Sequence, residues 1–362
     1  MAPVQNHGLR HGSRATRTTA AAGPWLVPCV AALLLAGWLL GGCAATPAFE
    51  IPDRSALSEA GHVPGVEPAD QRDFTPVIFD GRGRPASWDD VRAGLDWADV
   101  IMLGERHGDG TGHRVQHAVV EDVLVRRPGA AVAMEMFTRD EQVIVDDYLA
   151  GLIDVDELTG RANVGGWPGW MDNYQPTVDL AREHDADLIA ANAPRRYVRL
   201  ARLDGYDRLR GLSGAQRATF DIPERLDDGP YFDRFREVMG AGGHGEMDDD
   251  HVRSVFRSQQ LWDATMAGSI DASLRRGAAA VVHLNGGFHS DFEGGTVTQL
   301  RRLQPRARIL TISLVPEDAR SFRDEDRDRA DFVIYTGSLP ADSLSESDDL
   351  SDDKPDTGNE AP

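Results

Sequence analysis

Short, continuous apolar runs alternate along this chain with longer stretches that have the periodicity of an amphipathic helix. The run Val100-Ile101-Met102-Leu103 has no polar residue at any position, which is typical of a strand buried on both faces of a parallel sheet. Between residues 113 and 126, apolar residues recur instead at helical spacing. Strands separated by helices of this length predict an α/β fold with a mostly parallel sheet flanked by helices.

The same alternation continues through most of the chain, with one interruption. The segment of about residues 205–247 is rich in arginine, aspartate and glycine, and we predict that it forms a helical insertion over the sheet, in the position of a lid. The last predicted strand is expected to be antiparallel at a sheet edge. The predicted strands are 76–79, 100–103, 130–134, 188–191, 280–284, 309–314 and 332–335, and the predicted helices are 88–97, 113–126, 141–152, 173–184, 248–276 and 295–303.

The first 42 residues have the organisation of a secretory signal. A basic segment without acidic residues precedes an apolar run from Trp25 to Leu40, and Gly41-Gly42-Cys43 follows directly. This order resembles the bacterial lipobox, in which the cysteine is diacylated and becomes the first residue of the mature protein. The alternative is a transmembrane anchor, but the apolar run has 16 residues, and a membrane span needs about 20.

The residues that follow Cys43 predict how the mature chain is organised. Ala44 and Ala45, with no aspartate beside the cysteine, resemble the signal that sends a lipoprotein to the outer membrane. Segments of polar and acidic composition flank the region of alternating elements, and such segments do not bury a core. We predict a signal peptide over 1–42, a tether over 43–73, one α/β domain over 74–340 and a disordered acidic tail over 341–362.

Composition excludes several functions. The net charge of −21 argues against nucleic-acid binding, because that affinity comes largely from neutralising phosphates. Only Cys43 remains after signal cleavage, so we expect neither a disulfide within the chain nor a cysteine-based metal site. No Gly-x-Ser-x-Gly nucleophile elbow occurs, which disfavours ordinary α/β-hydrolase chemistry.

Four of the predicted strands run directly into polar residues. Because the carboxyl ends of parallel strands share one edge, and ligands bind outside that edge, we expect these residues to converge on one rim. Gly104 and Gly286 come where the chain must turn and where backbone can approach a ligand closely. The side chains predicted to meet at the rim are Glu105, His107, Glu135, Arg195 and His289.

These motifs carry a family resemblance. Two Gly-x-x-His motifs, at residues 104–107 and 286–289 with Glu135 and Arg195 between them, resemble the ChaN-like haem-binding uptake lipoproteins of the Tiki/TraB/erythromycin-esterase superfamily. The second motif departs from the family pattern at Gly287-Phe288, where a Gly-Asn-Gly-His-like sequence is expected. Further matching stretches, which extend the resemblance over about residues 76–336, are Trp167-Pro168, Tyr174-Gln175-Pro176 and residues 260–267.

The resemblance implies a protein that captures haem at the outer membrane for iron acquisition, with a homodimer enclosing the ligand as a further expectation. Tyr174 is the implied axial ligand, since a tyrosine phenolate can coordinate ferric haem iron. Arg195 would pair with Glu135 or anchor a haem propionate. The implied ligand-binding residues are Gly104, His107, Glu135, Arg195, Gly286 and His289.

A hydrolase is the alternative, and whether the chain is an enzyme stays open. In a peptidase-like or esterase-like site, Glu105 would orient His107 as general base or ligand, and His289 would complete the site. His107, Glu135 and His289 would also suffice to hold a divalent metal such as zinc or manganese. In a third interpretation the rim is kept only for structure, and the histidines shape turns.

Overall fold

The computed structural model describes residues 48–51, 57, 59–69, 73–241 and 248–339. The predicted signal peptide, the lipidation of Cys43 and the acidic tail lie outside the described residues. Part of the predicted tether is described, and it joins the fold: Gly61–His62 pairs with the sheet, and Val63 is buried. The folded part therefore begins before residue 74. Within the described ranges, no helix has both the length and the apolar character that crossing a membrane requires.

The described part of the chain contains eight strands and eleven helices, joined in places by short 3-10 turns. The strands are β1 (Gly61–His62), β2 (Val77–Asp80), β3 (Val100–Glu105), β4 (Ala131–Thr138), β5 (Leu188–Asn192), β6 (Val281–Gly286), β7 (Ile309–Val315) and β8 (Phe332–Tyr335). The helices are α1 (Trp88–Trp97), α2 (Gly110–Arg126), α3 (Gln142–Leu149), α4 (Val155–Arg161), α5 (Trp170–Asn173), α6 (Gln175–Glu183), α7 (Arg195–Arg210), α8 (Gly214–Arg217), α9 (Pro230–Ala241), α10 (Asp249–Arg276) and α11 (Gly295–Leu303).

All eight strands form one sheet, in the order β1-β2-β8-β7-β3-β6-β4-β5. The six strands from β8 to β5 are parallel to one another, and only β1 and β2 add antiparallel pairings. The predicted α/β class with a mostly parallel sheet is therefore confirmed.

The predicted position of the last strand was wrong. β8 lies inside the sheet, parallel to β7 on one side and antiparallel to β2 on the other. The early strand β2 pairs outside β8, so both edges of β8 are hydrogen-bonded and all four of its residues are buried. A pairing between segments about 250 residues apart left no local signal in either strand.

The two faces of the sheet pack against different helices. Along β3, Ile101 and Leu103 face a core that includes α1, α2 and α6, while Val100 and Met102 face α10 and α11. Side chains alternate between the faces of a strand, so Glu105 at the end of β3 continues on the α2 and α6 side. Glu135, which follows Ala133 at the same spacing in β4, continues on the α10 side.

The predicted insertion is only partly helical where it is described, since residues 211–213 and 218–229 are irregular. α7 runs into it as far as Arg210, with a break at Gly205, where φ is 76°, and α8 and α9 follow. The inner face of α9 carries Tyr231, Phe232 and Phe235, which pack against Phe256 in the N-terminal half of α10. This aromatic cluster packs α9 against α10, and it also includes Phe288, two residues after the end of β6.

Candidate functional site

The carboxyl ends of β3, β6, β4 and β5 are neighbours, as predicted, because these four strands are adjacent and parallel. One boundary differs from the prediction. Glu135 does not follow a strand but lies within β4, at an irregularity where the pairing with β5 shifts register between Met134 and Thr138. Such a bulge re-aims side chains, and here it accompanies the turn of Glu135 towards the rim.

The first group of polar side chains, the His107 cluster, consists of Glu105, His107, His113, Gln116 and Tyr174. The Nδ1 atom of His107 lies 2.7 Å from Glu105 Oε1, and the Tyr174 hydroxyl donates to the same oxygen at 2.8 Å. Gln116 donates to the other oxygen and accepts from His113 Nδ1. Burial opposes ionisation of Glu105, but His113, His107 and Tyr174 outweigh it and hold its pKa below the ordinary value. Glu105 is therefore a buried anion.

The second group, the His289 cluster, consists of Glu135, Tyr231, Asp263 and His289. His289 is placed between two carboxylates, with Nδ1 2.6 Å from Asp263 Oδ1 and Nε2 3.4 Å from Glu135 Oε1. The Tyr231 hydroxyl donates to Asp263 Oδ2 at 3.0 Å, and the backbone N–H of Gly286 donates to Glu135 Oε2 at 2.7 Å.

The charges in the His289 cluster are fixed over a wide pH range. Burial alone would lower the pKa of His289, but Glu135 and Asp263 raise it to about 10. Burial would raise the pKa of Glu135, but His289 is the main cause that lowers it to about 2. Glu135 and His289 therefore form a buried ion pair at neutral pH, with Asp263 as second acceptor of the imidazolium.

The two clusters lie on opposite faces of the sheet and meet over Gly286, at the end of β6 between them. A Cβ atom at Gly286 would lie 3.0 Å from His107 Nε2 and 3.7 Å from Glu135 Oε2. At Gly104 a Cβ atom would come within 2.7 Å of Ser290 Oγ. Neither glycine has a positive φ, so the missing side chain, rather than backbone freedom, is what the site requires. Glu135 is thereby flanked by two imidazoles, each held on a carboxylate.

Arg195 is not among the groups that act on Glu135, so the predicted pair is not formed, and the alternative role of Arg195 as a propionate anchor stays a prediction. Its side chain is exposed on the first residue of α7. The cationic groups that stabilise Glu135 are His289 and His107. Pro194 is the N-cap residue of α7, which begins at Arg195.

The axial role expected of Tyr174 stays a prediction, and the geometry disfavours it. The side chain has no exposed surface, and its hydroxyl is bound to Glu105. Trp170 stacks on the Tyr174 ring at 5.5 Å and is itself buried. Tyr174 would have to leave this packing to reach a large ligand.

The metal-binding set expected from sequence is not formed. Among the described residues, no three or more histidine, cysteine, aspartate or glutamate side chains are arranged to hold a metal ion. His289 faces Asp263 and Glu135 with its two ring nitrogens, so its side chain is already occupied by protein carboxylates. In this structure His289 is paired with the carboxylates of Asp263 and Glu135.

Four members of the two clusters were not among the predicted site residues: His113, Gln116, Tyr231 and Asp263. Asp263 lies in an apolar stretch of α10 and is completely buried. An aspartate there is costly unless it is paired, and this was a usable signal. Tyr231 lies in the insertion, where nothing in the local sequence indicated that it faces His289.

Comparisons with known proteins agree with this fold. A family profile described as haem-binding uptake, Tiki superfamily, ChaN, matches residues 92–300, more than half of the chain. No curated protein gives a significant sequence match. A structure of ChaN of Campylobacter jejuni, described as showing cofacial heme binding, superposes with a TM-score of 0.54 at 20% identity, over 71% of this chain and 95% of that one.

Two further solved structures give weaker matches. The erythromycin esterase EreC gives a TM-score of 0.37 at 14% identity, over 71% of this chain and 81% of that one. The type III effector HopBA1 gives 0.36 at 12% identity, over 70% and 93%. The match to the ChaN structure, at 20% identity, establishes the fold and not the chemistry.

Proposed function

This chain belongs to the ChaN-like haem-binding uptake family of the Tiki superfamily, and we propose that it binds haem in the bacterial cell envelope as part of haem or iron uptake. The heme-bound relative from Campylobacter jejuni supports this proposal. The observation that carries it is the match over residues 92–300, because this range contains both Gly-x-x-His motifs.

His107 is the side chain at the rim that best fits haem. Its side chain is 22% exposed, and its Nδ1 atom is held by Glu105. A carboxylate in this position fixes the ring orientation and increases the basicity of a ligating imidazole. Haem iron is commonly held by histidine, so we propose His107, rather than the buried Tyr174, as the axial candidate.

The segment of residues 167–171, beside His107, offers apolar side chains that fit a porphyrin face. The Trp167 ring lies 4.9 Å from the His107 ring, and Pro168 packs close to Gly108. Met171 is 55% exposed in the same segment. Binding sites for such ligands are mostly apolar, with a few polar groups that set the orientation. Residues 167–171 would cover the porphyrin, and His107 would face the iron.

The envelope location and the anchor belong to the same proposal. We propose that residues 1–42 are removed, that Cys43 carries the lipid, and that the haem-binding domain faces away from an outer membrane. The basic segment, the apolar run and Gly41-Gly42-Cys43 support this. Metabolic labelling with a radioactive fatty acid tests it: the wild type should be labelled and Cys43→Ser should not. Equal labelling of both would refute the anchor.

Hemin titration of the mature protein, followed by absorbance, tests haem binding. We expect a saturable shift of the Soret band, and a weaker interaction in His107→Ala. His184→Ala is the matched control, because His184 is exposed at the end of α6, away from the rim. An unsaturable wild-type titration would refute haem binding, and equal affinities of His107→Ala and His184→Ala would refute the role of His107. Light scattering during the same titration tests whether haem brings two copies together.

A hydrolase remains a second candidate, for one reason. His107 is partly exposed and backed by Glu105 at 2.7 Å, which is the arrangement of a general base oriented by a carboxylate. Ester and peptide substrates should then be cleaved at a rate that falls at least about a hundredfold in His107→Ala, with His184→Ala unaffected. Absence of turnover on such substrates, together with saturable hemin binding, would leave haem binding as the function.

A further inference from the structure

Helix α9 is attached to the His289 cluster through one tyrosine. Tyr231 is buried, and its hydroxyl donates to Asp263 Oδ2 at 3.0 Å. His289 Nδ1 lies 2.6 Å from Oδ1, the other oxygen of the Asp263 carboxylate. Gln259 donates to the Tyr231 hydroxyl at 3.1 Å. A chain of polar contacts therefore runs from the lid helix to His289 and on to Glu135.

The loop after His289 is shaped to receive the same tyrosine. A Cβ atom at Gly294 would lie 2.7 Å from the Tyr231 ring, and one at Gly295 would lie 2.9 Å from its hydroxyl. Gly295 also has a φ of 48°, a conformation that glycine adopts readily. Only residues without a side chain let Tyr231 approach this closely.

Phe288 links the second Gly-x-x-His motif to α9 as well. Its ring lies 5.2 Å from the Tyr231 ring and 6.0 Å from the Phe235 ring. Phe288 is the position at which this sequence departs from the family pattern, and α9 belongs to the insertion. The two unusual features of the chain are thus in contact with each other.

We propose that Tyr231 is a positioning residue that latches α9 onto the rim, by fixing Asp263 against His289. Closure of α9 and the Glu135–His289 ion pair then support each other, and α9 acts as a lid over the haem-binding rim. The lid role rests on the proposed function for the identity of the ligand, but the latch itself does not require haem.

The polar contact can be separated from the packing. Burial and the adjacent Asp263 raise the pKa of Tyr231 far above its ordinary value, so the hydroxyl remains a donor. Tyr231→Phe removes this donor from Asp263 and the acceptor from Gln259, while the ring contacts with Phe288 and Phe256 can remain. Tyr206→Phe is the matched control, because the Tyr206 hydroxyl donates to a backbone oxygen of Arg257, outside both clusters.

The test compares the mature wild type with these two variants, first without ligand. In Tyr231→Phe, we expect the ring N–H signals of His289 in 15N NMR to shift and to exchange with water about tenfold faster, the effect of losing about one buried hydrogen bond. Amide hydrogen exchange over residues 230–241 should accelerate by a similar factor. Tyr206→Phe should change neither signal.

The second part of the test changes His289 and measures α9, because a coupling between two elements acts in both directions. His289→Gln should accelerate exchange in α9, and combining it with Tyr231→Phe should add little. Unchanged His289 signals in Tyr231→Phe, or fully additive effects in the double variant, would overturn the latch. Faster hemin dissociation in Tyr231→Phe than in Tyr206→Phe would support the lid, and equal rates would overturn it. If the wild type binds no hemin, but Tyr231→Phe still changes the His289 signals and the exchange of α9, the proposed function is refuted and the latch is supported.

Discussion

The two histidine clusters have the same local design and different surroundings. In each, the imidazole Nδ1 binds a buried carboxylate, and a buried tyrosine donates to that carboxylate. The His107 side chain is 22% exposed and the His289 side chain is 8% exposed. His289 also faces a second carboxylate, Glu135, at 3.4 Å.

This difference indicates that the two histidines have different roles, one in stabilising the fold and one in contacting a ligand. A buried imidazolium between two anions is a structural charge, because neutralising it would leave a carboxylate buried without a partner. A partly exposed imidazole whose Nδ1 atom is held by a carboxylate can contact a ligand while its orientation is fixed. We therefore propose that His107 contacts the ligand and that His289 supports the rim.

Removing Asp263 should have the largest effect on stability. Asp263→Ala takes a partner from the buried His289 and an acceptor from Tyr231, and breaking such a pair costs about 3 to 5 kcal/mol of unfolding free energy. Chemical denaturation measures it. The control is Asp221→Ala, since half-exposed Asp221 pairs with Arg139 at the surface, and such pairs contribute less than about 1 kcal/mol. Equal losses in the two variants would contradict a structural role for the His289 cluster.

Alkaline pH should weaken the fold through the same cluster. The pKa of His289 is raised from 6.5 to about 10, so its contribution is complete below pH 6.5 and is lost as the pH rises towards 10. The pKa of Glu135 is lowered from 4.5 to about 2, so its contribution is complete above pH 4.5 and is lost as the pH falls towards 2.

The measurement is the unfolding free energy of the wild type and of His289→Gln between pH 6.5 and 9. The wild type should lose roughly 3 kcal/mol over this range by the linkage relation. His289→Gln should be less stable throughout and should lack this slope. Parallel pH profiles would show that His289 is not the titrating charge.

Filling the space over Gly286 should disturb both clusters at once. Gly286→Ala places a methyl group 3.0 Å from His107 Nε2, and overpacking of this kind costs about 1 to 3 kcal/mol. We expect hemin affinity to fall about tenfold, because His107 must move. Gly214→Ala is the control, as nothing lies within 4 Å of its Cβ position. Unchanged affinity in Gly286→Ala would mean that the ligand does not depend on the position of His107.

Replacing Tyr174 should have the smallest effect and should separate the two axial candidates. Tyr174→Phe loses one hydrogen bond to Glu105, worth about 1 to 3 kcal/mol, and should leave the hemin absorbance spectrum unchanged. Tyr148→Phe, which loses the hydroxyl bond to Asp179 outside the clusters, is the matched control for stability. A changed spectrum in Tyr174→Phe alone would restore Tyr174 as the axial ligand.

The sequence was informative where the structure follows from local pattern. Trp88–Trp97 and Gly295–Leu303 are helices with the predicted ends. At the start of the first, Ser87 and Asp90 cap one another through reciprocal hydrogen bonds, a short-range arrangement. The apolar strands and their shared rim follow from the period of the side chains and the parallel topology.

The failures all depend on contacts between distant segments. The pairing of β8 with β2 joins the two ends of the domain, and no local propensity encodes it. The local sequence does not show which way Arg195 and Tyr231 face. Arg195 is exposed at the start of α7, whereas Tyr231 of α9 contacts Asp263. Both outcomes depend on how these helices pack. Charge balance in a site is likewise a property of the assembled fold.

The most direct test of the division between the two histidines is a comparison of hemin complexes of the mature wild type, His107→Ala and His289→Gln, by absorbance and electron paramagnetic resonance. We predict that His107→Ala changes both the affinity and the iron spectrum, while His289→Gln lowers stability and keeps the wild-type spectrum. A spectrum that changes in His289→Gln and stays the same in His107→Ala would contradict it.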